Sequence, residues 1–196
     1  MNLFPGLTLA TLPQFSVVHP RFATENQTNR QGDQVATLKV IPYALPLTVV
    51  KEALAIAAAA PILTVRPLRF HRVALLLIGD PSSQRRMQMQ FEPPIRTRIE
   101  QLGSALETIA FVEQDEALIN ATVASLIADH DALIVAGQTS IMDMDDLTLR
   151  ALRSAGVRDL VHGAPVDPGN LLAFGFMDEK VVLCAPGCAR SPKRNV

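Results

Sequence analysis

The run VALLLIG, residues 73–79, decides the predicted fold. It is a continuous apolar stretch that ends in Gly79 and is followed at once by Asp80. A run of this kind is typical of a parallel β-strand that is covered on both faces. ALIVA, residues 132–136, has the same character. The two runs therefore predict two buried strands.

Helical and strand patterns alternate around these runs. Ile95, Ile99 and Leu102 recur at helical spacing after the helix breakers Pro93 and Pro94. The other predicted elements are a strand at 108–112, a helix capped by Asp115, a helix at 145–155 closed by Gly156, and a hairpin formed by LLAFGF, MDEK and VVLCAP. Alternation of this kind implies right-handed crossovers. We therefore predict an α/β fold, a three-layer α/β/α domain with a mainly parallel sheet.

The N-terminal third of the chain has a different pattern. Residues 7–12 and 35–41 are rich in Val, Thr, Leu and Ile and are bounded by Pro or Gly, so they predict short strands. Residues 47–60 form an Ala-rich segment that predicts a helix stopped by Pro61. We predict a small β-element with one helix over residues 1–66, either a connector or part of a neighbouring domain, and the α/β domain over residues 67–196.

Composition and charge argue against several classes of protein. The chain has 48% hydrophobic residues and 18 basic against 19 acidic residues, so it can bury a core but has no overall field that favours nucleic acid. The most apolar stretch, residues 53–63, is interrupted by Pro61 and is shorter than the roughly 20 residues that span a bilayer. Residues 1–6 lack a secretory signal pattern, and two cysteines cannot form a disulfide framework. We therefore expect a cytoplasmic protein without a membrane partner.

Three polar segments follow predicted strands. In open parallel sheets, ligands bind beyond the carboxyl ends of the strands, so these loops are the expected site. The segments comprise Gly79 and Asp80, then Gly137, Gln138, Thr139 and Ser140, and finally Pro186, Gly187, Cys188, Ala189, Arg190 and Ser191.

The middle segment has the residue types that bind phosphate. Gly137 allows close backbone approach, and the hydroxyls of Thr139 and Ser140 can donate hydrogen bonds next to a predicted helix start. The carboxylates behind it, Asp143, Asp145 and Asp146, are of the type that holds a divalent cation. The same pattern also fits a plain capped turn between a strand and a helix.

Other candidate residues have two interpretations each. Arg190, Lys193 and Arg194 suit phosphate or another oxyanion by charge, but they are also typical of a solvated surface. Cys184 and Cys188 fall short of the four ligands of a structural zinc site, and Cys184 is predicted to lie in the core. His162, at the end of a strand, is predicted to be a hydrogen-bonded structural histidine.

Taken together, the three segments resemble one family. VAGQTSIMDMDD, residues 135–146, resembles the T-G-G-x-S-x-x-D-x-D loop of the MoeA, MogA and MoaB family of molybdenum-cofactor proteins. Asp167-Pro168-Gly169-Asn170 and residues 186–191 are similar, in order and spacing, to that family's second signature. Gly79 and Asp80 stand where the family has Gly-Asp or Gly-Asn. The resemblance covers roughly residues 72–195.

The resemblance implies a MoaB/Mog-like fold and a function in molybdenum-cofactor synthesis. The likeness is greatest to molybdopterin-binding domains that occur beside a nucleotidyltransferase resembling molybdenum cofactor cytidylyltransferase. It implies that the chain binds molybdopterin, the finished cofactor or a nucleotide-linked form for such a partner enzyme, and that it forms a homo-oligomer. Family members usually continue past the last loop into a closing helix, whereas this sequence ends at Val196.

The resemblance also implies roles for individual residues. Asp143 and Asp145 would be catalytic, and with Asp146 they would hold Mg²⁺. The implied cofactor-binding residues are Gly79, Asp80, Gly137, Gln138, Thr139, Ser140, Pro168, Gly169, Asn170, Pro186, Gly187, Cys188, Arg190 and Ser191. Cys188 would either contact the pterin or serve as a small residue in a tight turn.

Two departures from the family pattern bear on catalysis. Gln138 replaces the second glycine of the transferases, and Met142 replaces a frequent third one. Because non-glycine residues rarely adopt positive φ, fewer backbone donors would then hold the phosphate. This favours a binding module over the alternatives, which are a molybdotransferase or adenylyltransferase and a nicotinamide-nucleotide-processing relative of the same fold.

Overall fold

The computed structural model describes residues 21–22, 28–29, 32–37, 44–59 and 66–193. The chain divides into two units, residues 1–66 and 67–196. In the first unit, strands β1 (Arg21–Phe22) and β2 (Ala36–Thr37) pair antiparallel, and helix α1 spans Leu47–Ala59. The strand predicted at 35–41 contains β2, whereas the strand predicted at 7–12 lies outside the described residues. None of the helices in the described segments is both long and apolar enough to cross a membrane.

The second unit is built on a six-stranded sheet. Its elements in chain order are β3 (Arg72–Ile78), α2 (Gln84–Gln101), β4 (Ala105–Val112), α3 (Glu116–Asp129), β5 (Ala132–Gly137), α4 (Leu147–Ser154), β6 (Arg158–His162), β7 (Ala173–Met177) and β8 (Lys180–Ala185). The strand order is β4-β3-β5-β8-β7-β6. Strands β4, β3, β5 and β8 are parallel, and β7 is antiparallel to both β8 and β6.

Helices cover both faces of this sheet. Leu75 and Leu77 of β3 pack in one cluster with Phe91 of α2. Leu76 and Ile78, whose side chains alternate with these, pack in a second cluster with α3 and α4. A run that alternates between two buried faces has to be apolar throughout, which is why VALLLIG has no polar residue. The predicted three-layer α/β/α fold with a mainly parallel sheet is confirmed.

Helix α2 begins earlier than the sequence predicts. It starts at Gln84 and continues through Pro93 and Pro94, which were expected to precede the helix, and that expectation is wrong. The reason is the buried stripe on one face, which recurs every four residues at Met87, Phe91, Ile95 and Ile99. Burying side chains of this size contributes about 1.5–3 kcal/mol each, which outweighs the hydrogen bonds that the prolines cannot donate.

The helix ends follow local sequence signals. Asp115 caps α3 by accepting a hydrogen bond from the Leu118 N–H at 2.9 Å, as predicted. Gly103 follows α2 and Gly156 follows α4, with φ of 73° and 99°. Glycine adopts such positive φ angles readily, so both residues can end a helix, and Gly156 does so where the sequence predicts.

Five loops lie at one edge of the sheet, here called the carboxyl edge. Because β3, β4, β5, β6 and β8 run in the same direction, their carboxyl ends meet there. The loops are residues 79–83, 113–115, 138–146, 163–172 and 186–191. All three polar segments singled out in the sequence, and the Pro168-Gly169-Asn170 segment, are among them.

Candidate functional site

A hydrogen-bonded bridge joins the loops that follow β3 and β5. Gln138 Oε1 accepts hydrogen bonds from the Asp80 N–H at 2.9 Å and from the Ser83 hydroxyl at 2.7 Å. Gln138 Nε2 donates to Asp80 Oδ2 at 3.0 Å. Gly79 lies against the carboxamide, since a Cβ added there would be 2.7 Å from Gln138 Oε1. The structure thus brings together the predicted site residues Gly79, Asp80 and Gln138.

A second cluster joins the loops that follow β5 and β8. A Cβ added to Gly187 would lie 3.0 Å from Arg190 Nη2 and 3.3 Å from Ser140 Oγ. The guanidinium and the hydroxyl therefore both lie beside the bare backbone of Gly187. We call Ser140, Gly187 and Arg190 the Gly187 cradle. A hydroxyl donor, a fixed positive charge and an open stretch of backbone are the groups that bind a phosphate.

Arg190 is held by contacts on three sides. Its Nε donates to the Gly187 carbonyl at 3.0 Å, and its Nη1 lies 3.5 Å from Gln90 Oε1. Its Cζ lies 5.4 Å from the centre of the Phe91 ring, within the range of a cation–π contact. Phe91 is 1% exposed, so the platform under the guanidinium is part of the core. The orientation of Arg190 therefore depends on helix α2.

Arg98 of the same helix holds the loop after β8. It donates from Nη1 to the Ala189 carbonyl at 2.9 Å, and from Nη2 to the carbonyls of Ser191 at 2.6 Å and Lys193 at 3.1 Å. Sequence reasoning missed Arg98. The available signal was its position three residues after Ile95, on the apolar face of α2.

Sequence reasoning also missed Ser83, which is buried at the start of α2. Its hydroxyl lies 2.7 Å from both Gln138 Oε1 and the Asp80 carbonyl, so these two acceptors share its one proton. The sequence signal for its burial was its position four residues before Met87, which is the first residue of the buried stripe.

The other predicted phosphate ligands occupy the same loops. Thr139 is exposed, and its carbonyl would lie 2.6 Å from a Cβ at Gly137, so that position requires glycine. Ser191 accepts from the Lys193 N–H through its hydroxyl at 3.2 Å. Pro186 is buried and Cys188 half-buried. Arg194 lies outside the described residues.

The Pro168-Gly169-Asn170 segment lies at the carboxyl edge in the loop between β6 and β7. Its carbonyls accept hydrogen bonds within the loop, that of Gly169 from the Leu172 N–H and that of Asn170 from the Ala164 N–H, both at 3.0 Å.

His162, at the end of β6, is hydrogen-bonded through Nε2 to the Ile141 carbonyl at 3.2 Å. This bond ties the β6 end to the loop after β5, and it gives His162 the structural environment that its position predicts.

The three aspartates of the predicted cation site serve the local backbone. Asp146 caps α4 by accepting from the Thr148 N–H at 2.8 Å, and Asp143 Oδ1 accepts from the Asp145 N–H at 2.8 Å. Asp145 accepts from Arg150 Nη1 through its carbonyl at 2.6 Å. Within residues 66–193 and the shorter described segments, no three His, Cys, Asp or Glu side chains are grouped to hold a metal ion. The Mg²⁺-binding role of Asp143, Asp145 and Asp146 and the catalytic role of Asp143 and Asp145 therefore stay predictions.

Cys184 is part of the core. Burial raises the pKa of its thiol to about 12, and the negative charge of Asp146 adds to the shift. The thiol is therefore protonated at neutral pH, which excludes thiolate chemistry at this position.

Comparison with known proteins extends the sequence resemblance. A protein of Methanocaldococcus jannaschii named "Putative molybdopterin biosynthesis protein" is 27% identical over 89 residues, which are 45% of this chain and 22% of that protein. The chain thus spans about a fifth of that relative's length.

Comparison with solved structures gives matches over about 60% of the chain. CinA of Thermoplasma acidophilum, a protein described as of unknown function, matches with a TM-score of 0.51 at 10% identity, over 61% of this chain and 89% of that one. At this identity the likeness supports the fold alone. MoaB of Thermus thermophilus, described as a molybdopterin biosynthesis enzyme, has a TM-score of 0.48 at 18% identity, over 62% of this chain and 82% of that one.

The family model described as "Probable molybdopterin binding domain" matches residues 74–195. These residues include most of β3, all of β4 to β8, both hydrogen-bonded clusters and every described loop of the carboxyl edge. Since the match covers well over half of the sequence, the chain belongs to this family of molybdopterin-binding domains.

Proposed function

We propose that residues 67–196 form a binding module that holds molybdopterin by its phosphate for a partner enzyme of molybdenum-cofactor synthesis. One observation carries the proposal: Ser140 Oγ and Arg190 Nη2 both lie within about 3.3 Å of the position that a Cβ on Gly187 would take. Membership of the molybdopterin-binding family supplies the ligand whose phosphate the cradle would accept.

The donors of the cradle suit a phosphate in charge and geometry. A guanidinium makes charge-assisted hydrogen bonds to phosphate oxygens, and a hydroxyl adds a neutral one. Because Arg190 already contacts Gln90 and Phe91, little side-chain freedom is lost when a ligand binds. Bound molybdopterin would supply the dithiolene sulfurs that ligate molybdenum, and the chain would supply binding and orientation. The residues proposed to contact the ligand are Gly137, Thr139, Ser140, Gly187, Cys188, Arg190 and Ser191.

Gln138 supports binding in preference to transfer chemistry. The oxygen of its carboxamide accepts hydrogen bonds from the Asp80 N–H and the Ser83 hydroxyl, which are two donors in the loop after β3. Donors occupied in this way cannot stabilise charge that develops in a transition state. We therefore propose a module that delivers its ligand to a separate enzyme, with a cytidylyltransferase-like enzyme as the proposed partner.

The test is an anaerobic calorimetric titration with molybdopterin of the wild-type chain and of Gly187→Ala. The added methyl group would lie 3.0 Å from Arg190 Nη2 and 3.3 Å from Ser140 Oγ and displace both from the cradle, so we expect the affinity to fall about tenfold, or about 1.4 kcal/mol. Thermal unfolding of both chains shows whether the variant remains folded. Equal affinities would mean that the phosphate does not bind in the cradle.

Two further measurements distinguish the proposed binding module from the alternative functions, a transferase and a nicotinamide-nucleotide-processing protein. Incubation with molybdopterin, Mg-ATP and molybdate should give binding without turnover, whereas a new product would identify a transferase. Titration with nicotinamide mononucleotide should give a weaker signal than molybdopterin. A stronger signal would assign the site to nicotinamide nucleotides.

A further inference from the structure

The ends of β3 and β5 form the topological switch point of the sheet. The chain leaves β3 to form β4 on one side and then crosses to form β5 on the other side of β3. In open α/β sheets, the crevice at such a point is where nucleotides bind. In this chain the two loops at that point are joined by Gln138, which bonds to Asp80 and Ser83.

The backbone N–H groups at the ends of β3 and β5 already donate hydrogen bonds within the chain, so they are not available to a phosphate. The Asp80 N–H donates to Gln138 Oε1, the Gln138 N–H donates to the Ile78 carbonyl at 2.8 Å, and the Gly79 N–H donates to the Val112 carbonyl at 3.1 Å. The next residue, Pro81, has no N–H. These positions therefore have no backbone N–H to offer an anion.

The negative charge and the lack of space at the bridge both disfavour binding of a phosphate there. The exposed carboxylate of Asp80 lies at the opening, 3.0 Å from Gln138 Nε2, and repels a second anionic group. The carboxamide oxygen also fills the space above Gly79, where even a methyl group would lie 2.7 Å away. On the other side of β5, the Gly187 cradle presents a hydroxyl and a guanidinium instead.

We propose that Gln138 is a specificity-determining residue that closes the β3–β5 crevice, so that the site takes molybdopterin with an unlinked phosphate and discriminates against the form whose phosphate carries a nucleotide. The inference rests on the proposed function, because it places the phosphate in the Gly187 cradle. From there, a second phosphate and a nucleoside directed towards β3 would meet the Gln138 amide and the Asp80 carboxylate.

The experiment compares two probes, molybdopterin and molybdopterin whose phosphate is linked to cytidine monophosphate, each titrated anaerobically. The quantity of interest is the ratio of their dissociation constants. We expect the wild-type chain to bind the unlinked form at least about tenfold more tightly. In Gln138→Gly this ratio should fall to about threefold or less, because the bridge is gone. Gln114→Gly makes the same exchange in the exposed loop after β4, outside the bridge, and should keep the wild-type ratio.

Asp80→Asn provides a second variant that removes the charge while retaining the size of the side chain. It should also lower the ratio, and it decides the question if Gln138→Gly proves to be unfolded in thermal melts. A wild-type chain that binds both probes equally, or a ratio that neither folded variant changes, would overturn the role of Gln138 and leave the proposed function standing. Failure of the wild-type chain to bind molybdopterin at all would overturn both.

Discussion

At the scale of single residues, Arg190 and Lys193 offer a direct comparison between a fixed and an unfixed positive charge. Arg190→Ala should weaken molybdopterin binding by about 1.5 kcal/mol, the lower end of the range for a hydrogen bond to a charged group, because Arg190 is exposed. Lys193→Ala, on the same loop, should cost much less and mainly at low salt. Calorimetry at two salt concentrations measures both effects. Equal losses in the two variants would mean that the loop contributes only general charge.

The two cysteines should differ in reactivity. Burial holds the pKa of Cys184 at about 12, so its thiol stays protonated and shielded, whereas Cys188 is half-buried on the loop after β8. In native protein at pH 8, a thiol reagent should modify Cys188→Ala very slowly and Cys184→Ala readily. Both variants should react fully in denaturant. Rapid native labelling of Cys188→Ala would contradict the assignment of Cys184 to the core.

Residue type and position predicted part of the candidate site. Ser140, Gly187 and Arg190 could be selected because hydroxyl, glycine and guanidinium groups follow apolar strands. The contacts of Arg98 with the loop after β8 and the bridging role of Gln138 could not be predicted, because each depends on contacts between distant parts of the chain. Arg98 lies 91 residues from Ala189, and Gln138 lies 58 residues from Asp80. Such pairings become visible once the strand order is known.

At the scale of elements, helix α2 links the core to the cradle. Phe91→Ala removes a side chain that is 1% exposed, so it should lower the free energy of unfolding by about 3–5 kcal/mol. It should also weaken phosphate binding, because Arg190 loses its platform. Met89→Ala, on the same helix but 69% exposed, should change stability by less than about 0.5 kcal/mol. Urea unfolding compares the two, and a similar loss for both would contradict the packing of α2.

The same helix shows where sequence prediction of elements is limited. The strands β3 and β5 could be placed because buried parallel strands are apolar throughout. The start of α2 was misplaced because Pro93 and Pro94 are local signals, whereas the buried stripe that overrides them depends on packing against the sheet. Local propensity is a weak predictor wherever tertiary burial favours a different boundary.

At the scale of the whole molecule, two carboxylates make stability depend on pH. Hydrogen bonds from Gln88 and Arg96 lower the pKa of Glu92, and the Arg72 N–H lowers the pKa of Asp131. A folded-state pKa below the unfolded value adds stability that is present above the unfolded pKa, about 4, and is lost as pH falls through the folded pKa. Asp131→Asn should therefore destabilise the chain slightly at pH 7 and reduce its loss of stability on acidification. An unchanged acid profile would contradict the role of Asp131.

The central claim is that a phosphate-bearing ligand binds at the Gly187 cradle, where the loops after β5 and β8 meet. The most direct test is a titration of isotope-labelled protein with molybdopterin, followed by amide chemical-shift changes. The largest shifts are predicted at Ser140, Gly187 and Arg190, with saturation at a single dissociation constant. Shifts confined to another surface, such as the exposed residues Arg85, Gln88 and Met89 of α2, would contradict the assignment of this edge of the sheet as the binding site.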